Sequence, residues 1–160
     1  MYPMFPIFTD NHDCAPANEA TLAAFEQANG IKLPDDYRHF LLSSPGGSPE
    51  RYMCDWGTNG DFVMWVYGLH DGEDWKRLPK AVSDFDDICV TADLNNAGPR
   101  YLPVAVSNGG NYFLLHVMLP DFGAVSFFDH ECTGREEPPL RIANSFTEWL
   151  SGLKDFDKGD

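Results

Sequence analysis

The sequence predicts helices laid against an antiparallel sheet, and three observations carry that prediction. From Tyr101 to Phe128 the only charged side chain is Asp121, as expected of largely buried strands. Two turn signals, "SNGG" (Ser107 to Gly110) and "PDFG" (Pro120 to Gly123), cut that apolar stretch into short pieces. Outside it, apolar residues recur at helical spacing, with Tyr37, Phe40 and Leu41 at one end of the chain and Phe146, Trp149, Leu150 and Leu153 at the other.

Taken in order, Glu19 to Ala28 places Leu22 and Phe25 on one helical face and meets a stop at Asn29-Gly30. The next stretch, "IKLPDDYRHFLLSSPGG" (Ile31 to Gly47), mixes a histidine, paired carboxylates, serines and glycines, and so resembles a catalytic opening. Helix chemistry accounts for it instead. Pro34 suits a first helical position, Asp35 and Asp36 suit the positive end of the helix dipole, and Pro45, Gly46 and Gly47 end the helix. His39 lies beside the apolar stripe and is expected to face solvent, without the positioned partner a general base needs.

Asp61 to Leu69 is rich in β-formers and predicts a strand. Asp71 to Asp87 predicts a charged loop and a short helix opened by Pro79, and "ICVTADLNNAGPRY" after it reads either as a brief strand or as irregular structure. Leu102 to Val106, Asn111 to Leu119 and Ala124 to Asp129 predict a meander of consecutive antiparallel strands, the first pair joined by a turn in which Asn-Gly takes positive φ. Ser145 and Glu148 stand at capping-box spacing and open the last helix, which should lie on the sheet.

The 160 residues contain no repeat, low-complexity tract or linker, so a single domain over residues 1–160 is expected. A chain of that length buries roughly 70% of its unfolded surface and needs no metal or disulfide for stability. Charge is the unusual property: 25 Asp and Glu oppose 11 Lys and Arg, a formal net charge of −14. Such a field repels phosphate backbones and anionic membranes, which argues against direct nucleic-acid or membrane binding. It speeds the approach of a basic protein, and it also serves simple solubility.

Cys14, Cys54, Cys89 and Cys132 form no C-x-x-C pair, and the start "MYPMFPIF" lacks the basic region of a signal peptide. The longest apolar run, Tyr112 to Leu119, is too short to cross a bilayer, and a reduced, cytoplasmic protein is expected.

Candidate chemistry is sparse. "DHEC" (Asp129 to Cys132) is the densest group of potential ligands, but neighbours on a strand point to opposite faces, so no metal site is expected. "DFG" is turn chemistry here, without the lysine strand or Gly-rich loop of a kinase. His116 should share a strand face with Tyr112, Leu114 and Met118 as a hydrogen-bonded, half-buried histidine. Asn108 and Asn111, bracketing a glycine pair, could cradle a ligand through backbone N–H groups, but a hairpin suffices to explain them and is the favoured reading. A metal-dependent hydrolase using His116, Asp129 and His130 is the weakest functional reading.

One segment fits a docking surface. Asp71, Glu73, Asp74, Asp84, Asp86 and Asp87 surround Trp75 and Phe85, and carboxylates beside aromatic anchors suit Arg and Lys on a partner. The alternative is a solvated loop with both rings tucked inward.

The order of the pieces resembles the SUKH superfamily, which joins bacterial immunity-type proteins to a fungal cell-wall-synthesis regulator. Leu33, Pro34, Tyr37, Phe40, Leu41, Gly46 and Gly47 match its LP-x-x-[YF] helix and glycine-rich turn; Leu102, Pro103, Ala105, Gly109 and Gly110 match its strand pair. Val125 and Asp129 match its next strand, and Ser145, Phe146, Glu148, Trp149 and Leu150 its closing helix. The middle of the chain departs from the pattern. The resemblance implies an α+β fold, a mostly antiparallel sheet with flanking helices. It also implies a non-enzymatic, cofactor-free protein that binds and neutralises a cognate toxin, often a nuclease, or a regulatory or scaffold module with no toxin partner. Acidity adds the expectation that a toxin partner would be basic.

Overall fold

A computed structural model of the chain describes residues 8–11, 14–57, 59–92, 101–131 and 139–155, with only the backbone described from 87 to 92. Six strands form one sheet in chain order, β3 (Met53–Trp56), β4 (Asn59–Val66), β5 (Tyr101–Ser107), β6 (Tyr112–His116), β7 (Val125–Phe128) and β8 (Leu140–Ala143), each antiparallel to the next. A two-stranded ribbon, β1 (Phe8–Thr9) and β2 (Ser48–Pro49), stands beside it. The helices are α1 (Glu19–Asn29), α2 (Asp35–Ser43), α3 (Leu78–Ala92) and α4 (Phe146–Ser151). This is the α+β class the sequence predicts.

Alternation along β6 sorts the helices onto two faces. Phe113 packs its ring 5.2 Å from Trp149 of α4, and Tyr37 and Phe40 of α2 pack 4.7 and 4.9 Å from Phe146. On the opposite face Phe85 of α3 meets Tyr112 and Phe128 edge-on at 5.5 and 5.8 Å, over the fully buried Leu114. The sheet is strongly coiled. β3 and β7 are four strand spacings apart, roughly 19 Å in a flat sheet, yet the rings of Trp56 and Phe127 are 4.6 Å apart.

Local signals act where the sequence places them, with several changes. α1 opens on a capping box between Asn18 and Thr21 and closes on Gly30 at φ 64°. α2 begins at Asp35, with Pro34 as its cap residue, and Asp36 does more than favour the dipole: its Oδ2 accepts a hydrogen bond from Thr147 N in the first turn of α4, at 2.9 Å. His39, expected in solvent, is half-buried.

Asp71–Asp87 holds a single 3₁₀ turn at Asp74–Lys76 and then the start of α3, whose 15 residues run on through Ile88–Ala92. Both alternatives for that stretch, a brief strand and irregular structure, are therefore wrong as far as Ala92. Leu78, Ala81, Val82 and Phe85 set a helical stripe, and its spacing overrides the strand preference of Ile88, Val90 and Thr91. The remainder, 93–100, lies outside the described residues.

The Ser107–Gly110 hairpin forms with a different turn: only Gly110 takes positive φ, at 87°, and Gly110 N donates to Ser107 O, giving a turn closed by a left-handed glycine instead of the Asn-Gly type. In α4, Ser145 caps Glu148 N at 3.0 Å, while Glu148 reaches back to Asn144 N at 3.1 Å, one residue before the box position. Beyond α4 the chain returns to the sheet edge: Met53 N donates to Lys154 O at 3.0 Å and Lys154 N to Met53 O at 2.9 Å.

Candidate docking surfaces

The acidic segment is built as a knot of ion pairs. Glu73 and Asp74 precede Trp75, which is 50% exposed. Lys76 is buried, and its Nζ lies 5.6 and 5.4 Å from the centroids of Trp65 and Trp75, whose rings are 4.8 Å apart. A cation within reach of two indole faces gains from both quadrupoles. Trp65 Nε1 donates to the Lys76 carbonyl at 3.2 Å, and Trp75 Nε1 to Glu73 Oε2 at 2.7 Å. Glu73 also faces Lys76, Asp74 pairs with Arg77 at 3.4 Å, and Asp84 pairs with Lys80 one turn along α3.

Asp71 and Asp86 are exposed, and the side chain of Asp87 lies outside the described residues. Phe85 is buried, so Trp75 is the aromatic that this segment presents. From Asp71 to Asp86, five carboxylates meet three cations, which leaves the segment far more balanced than its acidic count implies. Asp84 also faces β6: burial pushes the Tyr112 phenol above its ordinary range, with the Asp84 carboxylate adding to the effect and Lys80 opposing it.

A second surface opens where the sheet coils. A groove of about 770 Å³ runs between the β3–β4 hairpin and the ends of β6, β7 and β8. Trp56 and Phe127, both half-buried, form its floor. Asp61 and Asp129 stand on its walls, with Asn111 between them. The Asn111 side chain is pinned: its Oδ1 takes hydrogen bonds from His130 N (3.0 Å) and sits 2.6 Å from His130 Nδ1, and its Nδ2 donates to Asp61 Oδ2 at 3.4 Å. The sequence does not single out Trp56, Phe127 or Asp61, and it marks Asn111, Asp129 and His130 only as parts of other candidate sites. Trp56 and Phe127 are 71 positions apart, and only the coiling of the sheet unites them.

The remaining candidates have local roles. His116 shares its face with Tyr112 and Leu114; its Nε2 lies 2.6 Å from Oγ of the fully buried Ser126, and its ring meets Tyr101 at 5.1 Å. Burial lowers its pKa, with Asp121 opposing and Arg141 reinforcing. His116 does not meet Asp129 and His130. It sits at one end of the β6–β7 ladder and they sit beyond the other, roughly 13 Å along the strand.

The loop N–H groups of Asn108 and Asn111 do not form a cradle, because they donate to Phe62 O and Ser107 Oγ. In "DHEC", Asp129 Oδ1 accepts Glu131 N, and Cys132 lies outside the described residues. Among the described residues no three His, Cys, Asp or Glu side chains gather as a metal site, and no helix is long and apolar enough to cross a membrane. Cys54 is buried, which pushes its thiol up to about 11, while Cys14 is partly exposed.

A coiled antiparallel meander, the LP-opened helix packed through Tyr37 and Phe40 on the closing SF-opened helix, and a glycine-closed hairpin define a class already met in the sequence. The chain belongs to the SMI1 / KNR4 family (SUKH-1), whose pattern matches residues 16–152. Among individual proteins it is similar to the SPbeta prophage-derived uncharacterized protein YokK of Bacillus subtilis (strain 168), with 28% identity over 152 residues covering 84% of this chain and 73% of the relative.

Proposed function

We propose that this chain is an immunity-type member of its family, which neutralises a cognate toxin, often a nuclease in such pairs, by binding it in the cytoplasm. Binding alone is the mechanism: the acidic exterior covers a basic active site and no bond is made or broken. The observation that carries this reading is the net charge of −14 on a chain of this family. Opposite charge steers association with a basic partner and excludes nucleic acid from the same surface. The relative is described as prophage-derived, and a mobile element is a fitting home for one half of a toxin–immunity pair.

Co-expression with the product of a neighbouring toxin-like gene tests the reading. Growth should be rescued, the two proteins should co-elute stoichiometrically, and affinity should fall as salt rises through the Debye-screening range. Stoichiometric binding with no growth rescue would assign the chain instead to the regulatory or scaffold class, and absence of binding would sink both.

A further inference from the structure

We infer that the groove at the mouth of the coiled sheet docks an arginine-bearing loop of a basic protein partner, an inference that rests on the protein-binding reading above. Two features of the groove point to a guanidinium. Trp56 and Phe127 offer half-buried aromatic rings 4.6 Å apart and tilted by 37°, a surface on which a planar cation stacks. Asp61 and Asp129 rise beside that floor, and among the described residues they accept hydrogen bonds from neutral donors, the N–H groups of Phe62 and Glu131 and the Asn111 amide.

The described lining holds a single cation, Arg141, and it is committed elsewhere. Its Nη1 lies 2.7 Å from Asp121 Oδ1 and its Nη2 donates to Asn144 Oδ1 at 2.9 Å. Among the described residues the two groove carboxylates are therefore bonded by no cation, in contrast to the segment around Trp75, where Lys76, Arg77 and Lys80 pair with Glu73, Asp74 and Asp84. Arginine fits better than lysine because its fork takes a carboxylate on two N–H groups while its plane lies on a ring. A volume of about 770 Å³ admits a few loop side chains and falls within the range of about 300–1,000 Å³ usual for binding sites.

The test uses the full chain, labelled with nitrogen-15, and two probes, the blocked peptides acetyl-Gly-Arg-Gly-amide and acetyl-Gly-Lys-Gly-amide. The Trp56 indole signal is assigned from W56F. The arginine peptide should shift the Trp56 indole and Asn111 side-chain amide signals saturably, and more tightly than the lysine peptide. The isosteric double variant D61N/D129N should bind it about tenfold more weakly while keeping a cooperative thermal melt, whereas D74N/D84N should bind as the wild type does.

Shifts centred on Trp75, no saturable shift, or equal affinity in D61N/D129N would overturn the inference. So would a Trp56 signal that moves with protein concentration alone, which marks a second copy as the occupant. Growth rescue separates the two proposals. Rescue that survives in D61N/D129N removes the groove and leaves the neutralising reading standing. Arginine binding at Trp56 without rescue by the wild type does the reverse.

Discussion

At the residue scale, burial decides which polar groups help and which cost. Tyr37 lies wholly buried in the core, and among the described residues its hydroxyl has no hydrogen-bond partner. A buried, unanswered hydroxyl costs about 1–3 kcal/mol, so Y37F should raise stability by up to about that amount in a urea unfolding curve, with the ring packing against Phe40 and Phe146 kept. His116 works in the opposite sense. Its folded pKa is lowered from 6.5, so the folded state favours the neutral ring.

The stability tied to His116 is fully present above pH 6.5 and is lost as pH falls from there toward the lower folded value, because the unfolded chain takes up the proton first. The Tm advantage of the wild type over H116Q should accordingly shrink between about pH 7.5 and 5.5, measured by calorimetry. The sequence made His116 legible as a half-buried strand histidine because period two placed it beside Leu114. It did not reveal His39 as half-buried, since a position flanking an apolar stripe carries no sign of what packs over it.

At the element scale, contacts between helices outweigh helix-local effects. If Asp35 and Asp36 served the α2 dipole alone, removing either would cost a similar few tenths of a kcal/mol. The bond from Thr147 N to Asp36 separates them. D36A should lose about 1–2 kcal/mol in chemical denaturation, and the exposed D35A less than about 0.5.

Gly68 is a second constraint. A Cβ there would lie 2.0 Å from Pro45 O, and one on Gly46 would lie 2.2 Å from Val66 O, because the loop after α2 crosses directly over the end of β4. G68A should cost about 3 kcal/mol or more, read from the same unfolding curves. The glycine pair after α2 was legible as a helix stop, but its close approach to β4 was not, since that depends on a strand about 20 residues later. α1, α2, α4 and the β5–β7 meander carry strong periodic or turn signals and were readable. β3 and β8 are four-residue strands with little alternation, and tertiary pairing is what makes them strands.

At the scale of the whole molecule, coiling of the sheet creates what no linear reading displays. The charge balance was visible from composition, but its distribution was not. The segment richest in carboxylates pairs three of them with Lys76, Arg77 and Lys80, while the sparser pair, Asp61 and Asp129, lies where the coil brings aromatic rings together. The same coiled sheet has a β3 margin that is closed by the chain itself, through the reciprocal bonds between Met53 and Lys154. Deleting everything from Leu153 onward would bare that margin's peptide groups and remove a buried leucine. Light scattering should then report particles larger than those of the full chain, as expected where bared strands pair between molecules. The few residues after the last helix therefore act as a selvedge, and a fusion tag belongs beyond them, never in their place.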